Sequence, residues 1–181
     1  MSQPRKKPPQ IFISHVASSD KEIAKKFRDW IRVSYHKTNV GVFVSSADGI
    51  NPGAVPATEI EQALRSTDAL IVLLSNKALK SDWIVFEPAF VLGRKKTVLP
   101  LLCNGASFSE VPSSIKYMLQ LKDASDANQF AQTISKLDTV IGCPHEESYE
   151  ELRNSLSQKN RNVPMAPLVF PRRDFDDIPI M

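Results

Sequence analysis

Apolar residues recur along this chain in two alternating rhythms. Short, nearly continuous runs (Gln10 to Ser14, Val40 to Val44, Ala69 to Leu74 and Thr97 to Leu102) read as strands buried on both faces. Between them the period lengthens to three and four residues. Ile23, Ala24, Phe27, Trp30 and Ile31 form one stripe of a helix from about Lys21 to Tyr35, with Ser19-Asp20 in position to cap it. Ile60, Ala63 and Leu64 mark a short helix from Thr58 to about Arg65, and Phe130, Ile134, Leu137 and Ile141 mark a longer one from Asp126 to about Ile141. Asp48-Gly49 and Pro52-Gly53 place a loop over Ser45 to Pro56. Tyr117 to Leu121 reads as a short last strand, and Pro100 places Thr97 to Leu102 at a sheet edge or strand end. A segment rich in aromatic residues, Trp83 to Gly93, reads as helical but contains Pro88, so Glu87 sits at a break or a helix start.

Strand and helix alternate about five times, which predicts an α/β domain with a parallel sheet covered on both faces. The chain divides into a basic, Pro-rich leader over residues 1–9, expected to be disordered, one domain over 10–142, and a C-terminal helix and tail over 143–181. Within the last, Glu146 to Gln158 carries a thin stripe of Tyr149, Leu152 and Leu156, and the chain from Asn160 onward has no periodicity.

Composition narrows the function classes. With 42% hydrophobic and 24% charged residues, the 181 residues suffice for one good core. A net charge of +3, scattered and not striped, argues against nucleic acid as the partner. Cys103 and Cys143 have no metal-ligand or CxxC spacing, so neither a metal site nor a disulfide framework is expected, and Cys103 reads as a small core residue. The leader lacks the apolar stretch of a signal peptide, and no run approaches the roughly 18 residues of a membrane span. The expectation is a cytoplasmic protein with no membrane contact.

The chemistry concentrates at Ser81-Asp82-Trp83-Ile84-Val85-Phe86-Glu87, directly after the most apolar run. A lone carboxylate among Trp83, Phe86 and Phe90 is costly to bury without a task or a partner. Two readings stand at this point: a pocket in which an aromatic plate and one acid meet a base and a ribose, or a boundary glutamate beside core aromatics. Other α/β chemistries fail on their residues. The turn after the first strand, His15 to Ser19, has no glycine for a dinucleotide or P-loop site. Ser14-His15 and Ser75 stand where a phospho-acceptor domain carries its acids, and no GxSxG elbow exists.

In sequence order, Ile11-Phe12-Ile13-Ser14-His15, Val42-Phe43-Val44-Ser45-Ser46, Asp48, Pro52-Gly53, Ile60-x-x-Ala63-Leu64, Leu73-Leu74-Ser75 and Ser81-x-Trp83-x-x-Phe86-Glu87 resemble a Toll/interleukin-receptor (TIR) domain, and more narrowly the bacterial TIR proteins of anti-phage defence. The resemblance covers about Gln10 to Ile141. It implies a flavodoxin-like, three-layer fold around a central five-stranded parallel sheet. It implies that Ser45 to Val55 is the loop that guards the pocket and contacts a neighbouring subunit, so that the protein self-associates. It also implies an enzyme that cleaves the nicotinamide–ribose bond of NAD, taken as substrate with no cofactor, to give ADP-ribose or a cyclic isomer, with a sensor or effector protein as a further partner. Glu87 matches the family's essential glutamate and Trp83 the tryptophan four residues before it. His15, Phe43, Ser45, Ser46 and Asp48 are the remaining candidate substrate contacts, each of which an ordinary turn, core or loop role would also explain. Two departures from the family pattern are Pro88 directly after the glutamate and the lack of an arginine in the first turn after the first strand; Lys21 is the nearest cation. Outside catalysis, the same fold could serve as an interaction or adaptor module, or the glutamate could act on another nucleotide N-glycosidic bond.

Overall fold

The computed structural model describes residues 7–46, 56–81 and 83–158. Strands β1 (Gln10–His15), β2 (Gly41–Ser46), β3 (Ala69–Leu74), β4 (Thr97–Leu102) and β5 (Lys122–Asp123) form one sheet in the order β2-β1-β3-β4-β5, with every pairing parallel. Helices α1 (Ala17–Ser34), α2 (Pro56–Ser66), α3 (Trp83–Gly93), α4 (Ser113–Met118), α5 (Ala127–Ile141) and α6 (Glu150–Ser157) connect and cover it. The architecture is the expected α/β fold with a five-stranded parallel sheet.

Strand alternation sorts the core into two layers. Ile11, Ile13, Ile71 and Leu73 point one way and pack with Phe27, Trp30, Phe130, Leu152 and Leu156 of α1, α5 and α6. Phe12, Leu70, Val72 and Leu74 point the other way and pack with Leu64, Ile84, Val91 and Ile115 of α2, α3 and α4. β3 lies at the centre and is buried at all six positions, as its unbroken apolar run requires. Leu152 and Leu156 make α6 part of the same core as α1 and α5.

Several boundaries differ from the sequence expectation, each for a physical reason. α1 begins at Ala17, so Ser19-Asp20 does not cap it; the Val16 carbonyl already accepts the Asp20 amide at 2.8 Å, and Asp20 turns its carboxylate inward. Tyr117 to Leu121 is not a strand. Residues 113–118 form α4 behind Pro112, and the last strand is the polar pair Lys122–Asp123. α6 starts at Glu150 and not at Glu146, because the preceding backbone is engaged elsewhere: the His145 amide donates to Asp138 at 2.9 Å and the Ser148 carbonyl accepts from Trp30 Nε1 at 3.0 Å. α5 has the expected start, with Asp126 accepting from the amides of Asn128 and Gln129, and it ends on Gly142 at φ 89°, a left-handed conformation that suits glycine.

Pro100 fits the sheet because β5 is short. β5 pairs only with Leu101 and Leu102 of β4. The amides of Thr97 and Cys103 bond toward β3, and the Leu102 carbonyl bonds toward Ala124 beyond β5. By alternation, the amide that proline lacks would face the uncovered stretch of that edge, where no ladder bond is lost.

Candidate active site

The strand order reverses direction between β1 and β3, and in open α/β sheets the crevice outside the carboxyl ends at such a point is the ligand position. Here that crevice is lined by Ser14, His15, Val16, Ala78, Ser81 and Ile84, among others. Between its described walls it is a half-open notch of ≈ 10 Å³, room for about one water.

Glu87 stands one hydrogen bond behind this wall. It lies on α3, a helix apolar on almost every side, and is only 2% exposed. The Ser14 hydroxyl, at the carboxyl end of β1, donates to its carboxylate, while Oε2 has no hydrogen-bond partner among the described residues. Burial disfavours the charged form and pushes the acid from an ordinary value of 4.5 up to about 7; the Ser14 bond works in the opposite direction and is outweighed. Pro88 does not break the helix: α3 runs through it, so Glu87 sits within the second turn and not at a start. The arrangement is a carboxylate poised near neutrality, held in an apolar wall by a single neutral donor. Such a group can stabilise a positive charge that develops beside it.

The other predicted residues fall into three groups. His15 is buried and lines the crevice beside Ser14. Phe43 lies mid-strand on β2, partly exposed, with its ring 5.1 Å from that of Phe12, which is core packing at the sheet edge. Asp48 lies outside the described residues, as do the side chains of Trp83, Ser45 and Ser46. The backbone of Trp83 opens α3, and the backbones of Ser45 and Ser46 close β2, paired with Ser14 and His15.

Sequence reasoning missed three residues. Ser14 carried no signal beyond being polar at the end of an apolar strand. Asp20 and Asn104 are joined in a buried polar cluster: Ser75 Oγ donates to Asp20 Oδ2 at 2.6 Å and Asn104 Nδ2 donates to Asp20 Oδ1 at 2.9 Å. Ser75 itself accepts from the Ala78 amide at 3.2 Å, which closes the turn after β3. Cys103 beside this cluster is a buried core thiol; burial first, then the Asp20 and Asp123 carboxylates, push it well above the ordinary thiol range, which keeps it protonated and unreactive.

Among the described residues no group of three or more His, Cys, Asp or Glu side chains could hold a metal ion. No described helix is long and apolar enough to cross a membrane.

A family model described as "TIR domain" matches residues 11–137. No curated protein sequence matches the chain. Solved structures that resemble it include the TIR domain of the Toll-related receptor TRR-2 from Hydra magnipapillata, at 18% identity and TM-score 0.50 over 72% of this chain and 97% of that one. They also include a metazoan TIR-STING receptor from C. gigas, at 18% identity and TM-score 0.49 over 79% of this chain and 44% of that one. The TIR domains of the activated Roq1 resistosome align at 15% identity and TM-score 0.42 over 82% of this chain and 81% of that one. The chain thus spans less than half the length of the TIR-STING receptor chain.

Proposed function

This chain belongs to the TIR domain family, and from that premise we propose that it is an NAD-consuming enzyme that cleaves the nicotinamide–ribose bond, with Glu87 as the catalytic carboxylate. One observation carries the reading. Glu87, which the resemblance matches to the family's catalytic glutamate, is buried on the helix that follows β3, with a pKa pushed up to about 7 and Oε2 without a partner among the described residues. Some TIR family members cleave NAD.

The chemistry suits a single acid. Nicotinamide is cationic in NAD and leaves as a neutral base with the electron pair of the broken carbon–nitrogen bond, so no general acid is needed for its departure. The ribose carbon becomes oxocarbenium-like, and an ionised Glu87 stabilises that charge in surroundings of low dielectric. Water then adds and loses its proton to give ADP-ribose; capture by a nitrogen or hydroxyl of the same molecule gives a cyclic isomer. The crevice beside Ser14 and His15 marks the side from which substrate approaches Glu87, and in this reading Trp83, the segment 45–55 and a neighbouring subunit docked through that segment complete the substrate site. Bacterial immune signalling in the cytoplasm, alongside a sensor or effector protein, is the setting we propose.

A second reading, a non-catalytic interaction module, draws on α3: this apolar helix leaves Phe86 53% and Leu92 37% exposed, side chains suited to a protein contact. The test is incubation of concentrated protein with NAD, with and without a crowding agent, products resolved by mass, beside the Glu87→Gln variant. Nicotinamide release by the unmodified protein alone supports the enzyme. Intact NAD at every concentration supports the interaction module. Competition by NADP and simple nucleotides decides whether NAD is the preferred substrate or the bond broken belongs to another N-glycoside.

A further inference from the structure

Asp20 is a carboxylate with 0% exposure in the first turn of α1, and the reaction proposed above does not use it. Its two oxygens each accept one hydrogen bond, from Ser75 Oγ at 2.6 Å and Asn104 Nδ2 at 2.9 Å. A carboxylate removed from water is retained only where its partners are well placed, so the position of these partners in the fold matters. Ser75 follows β3 directly and Asn104 follows β4, so Asp20 ties the carboxyl ends of two adjacent strands to the start of α1.

From Ser75 the bonds continue as a ladder. The Ala78 amide donates to Ser75 Oγ at 3.2 Å, the Ser81 amide to the Ala78 carbonyl at 3.0 Å, and the Ile84 amide to the Ser81 carbonyl at 3.2 Å. Ile84 lies in the first turn of α3, the helix that carries Glu87. Three rungs of this ladder, Ala78, Ser81 and Ile84, also line the crevice. On its other side Asn104, at φ 52°, donates its amide to the Leu156 carbonyl of α6 at 2.8 Å.

We propose that Asp20 is a positioning residue of the active site: its carboxylate anchors the β3–α3 connection and thereby sets where α3 holds Glu87 against Ser14. This rests on Glu87 being the reactive group, but the anchoring can be measured without any turnover. An apolar residue at 20 leaves two buried donors without acceptors. An asparagine at 20 supplies one acceptor and turns an amide donor toward the donor of Asn104. Exchanging the pair, Asp20→Asn with Asn104→Asp, restores both bonds: the new amide oxygen accepts from Ser75 and its nitrogen donates to the new carboxylate, which tolerates the left-handed backbone at 104.

The experiment compares the unmodified full-length chain with Asp20→Ala, Asp20→Asn and the exchanged pair in three readouts. These are amide hydrogen exchange at Ala78 and Ser81 relative to Ile71 in central β3, the NMR titration midpoint of the Glu87 carboxyl, and NAD turnover. With Asp20→Ala, exchange at Ala78 and Ser81 rises by about tenfold or more while Ile71 is unchanged. Glu87 gains water, so its midpoint falls toward the ordinary carboxyl range. The rate constant kcat falls about tenfold or more with KM little altered, as expected for a misaimed reacting group. Asp20→Asn lies between, and the exchanged pair returns every readout to near the unmodified protein. The proposal is overturned if Ala78 exchange and the Glu87 midpoint ignore Asp20→Ala, or if Ile71 loosens equally. Should Asp20→Ala fail to fold, the exchanged pair decides: loosened Ala78 in that folded variant also overturns the proposal. If the unmodified chain turns over no NAD, the exchange and titration arms still decide the anchoring, and only the assignment of Glu87 as reactive falls.

Discussion

At the amino edge of the sheet, Asp68 precedes β3 and accepts from the Gln10 amide at 3.0 Å and from Lys96 Nζ at 2.8 Å. Partial burial pushes this acid up, but Lys96 and the Gln10 amide outweigh it and hold the carboxyl below its ordinary value. At the carboxyl edge, Glu87 has deeper burial, no cation acting on it among the described residues, and the Ser14 hydroxyl as the hydrogen-bond donor, and it is pushed up to about 7. The same functional group is thus stabilised as an anion at one edge and kept close to its neutral form at the other. Asp68 does what a structural carboxylate does, tying β1 and the β4 approach together. Glu87 stores an unfavourable charge where α/β sheets place their chemistry, and such conflicts concentrate at functional sites.

The contrast is broken most directly at Glu87. Glu87→Gln keeps the shape and removes the charge, so NAD cleavage falls by about 10²–10³-fold or more in kcat, measured as nicotinamide release. A variant within tenfold of the unmodified rate would refute the assignment. The same substitution stabilises the fold. Because the folded acid holds its proton to higher pH than the unfolded one, the unmodified protein loses stability as pH rises from about 4.5 to about 7. Glu87→Gln therefore gains up to about 3 kcal/mol at pH 8 and almost nothing below pH 4, read from urea unfolding at the two pH values. Equal gains at both would show that the carboxyl is not strained. An ionised Glu87 also requires kcat to rise through a midpoint near 7.

Smaller changes sharpen the comparison. Ser14→Ala removes the bond that lowers the Glu87 pKa, so the pH–rate midpoint moves upward, by about one unit or less for a hydrogen bond of ~1 kcal/mol. A downward move would mean that water enters and outweighs the lost donor. At the other edge, Asp68→Asn weakens an ion pair with Lys96 that is partly open to solvent, costing on the order of 0.2–1 kcal/mol above pH 4. That contribution fades as pH falls through the carboxyl range, and nicotinamide release is unchanged. An equal loss of turnover would dissolve the distinction between the two edges.

Most of the fold was legible because the core residues follow their periods. The stripe Ile23, Ala24, Phe27, Trp30 and Ile31 is buried throughout, as are Phe130, Ile134, Leu137 and Ile141. The misread places carry ambiguous signals. Tyr117, Leu119 and Leu121 alternate like a strand, yet Tyr117 is 91% exposed at the end of a one-and-a-half-turn helix, and the true strand is too short and polar to show a pattern. Asp20 resembled a cap because a short acid before an apolar stripe usually is one; its buried partners, Ser75 and Asn104, lie far along the chain and leave no local trace. Glu87 was legible as an acid among aromatics. Its dependence on Ser14 was not, since the contact exists only once β1 and α3 have been folded together.

The Asn104–Leu156 bond has a consequence for biosynthesis. The chain leaves the ribosome amino end first, so β1 to β4 and the glutamate helix emerge well before α6. Until position 156 has cleared the exit tunnel, the loop after β4 lacks its backbone partner and the α1–α6 side of the core lacks Leu152 and Leu156. A nascent chain therefore carries its reactive acid before it carries a finished edge to hold it, and maturation of that edge is timed by the arrival of the C-terminal helix.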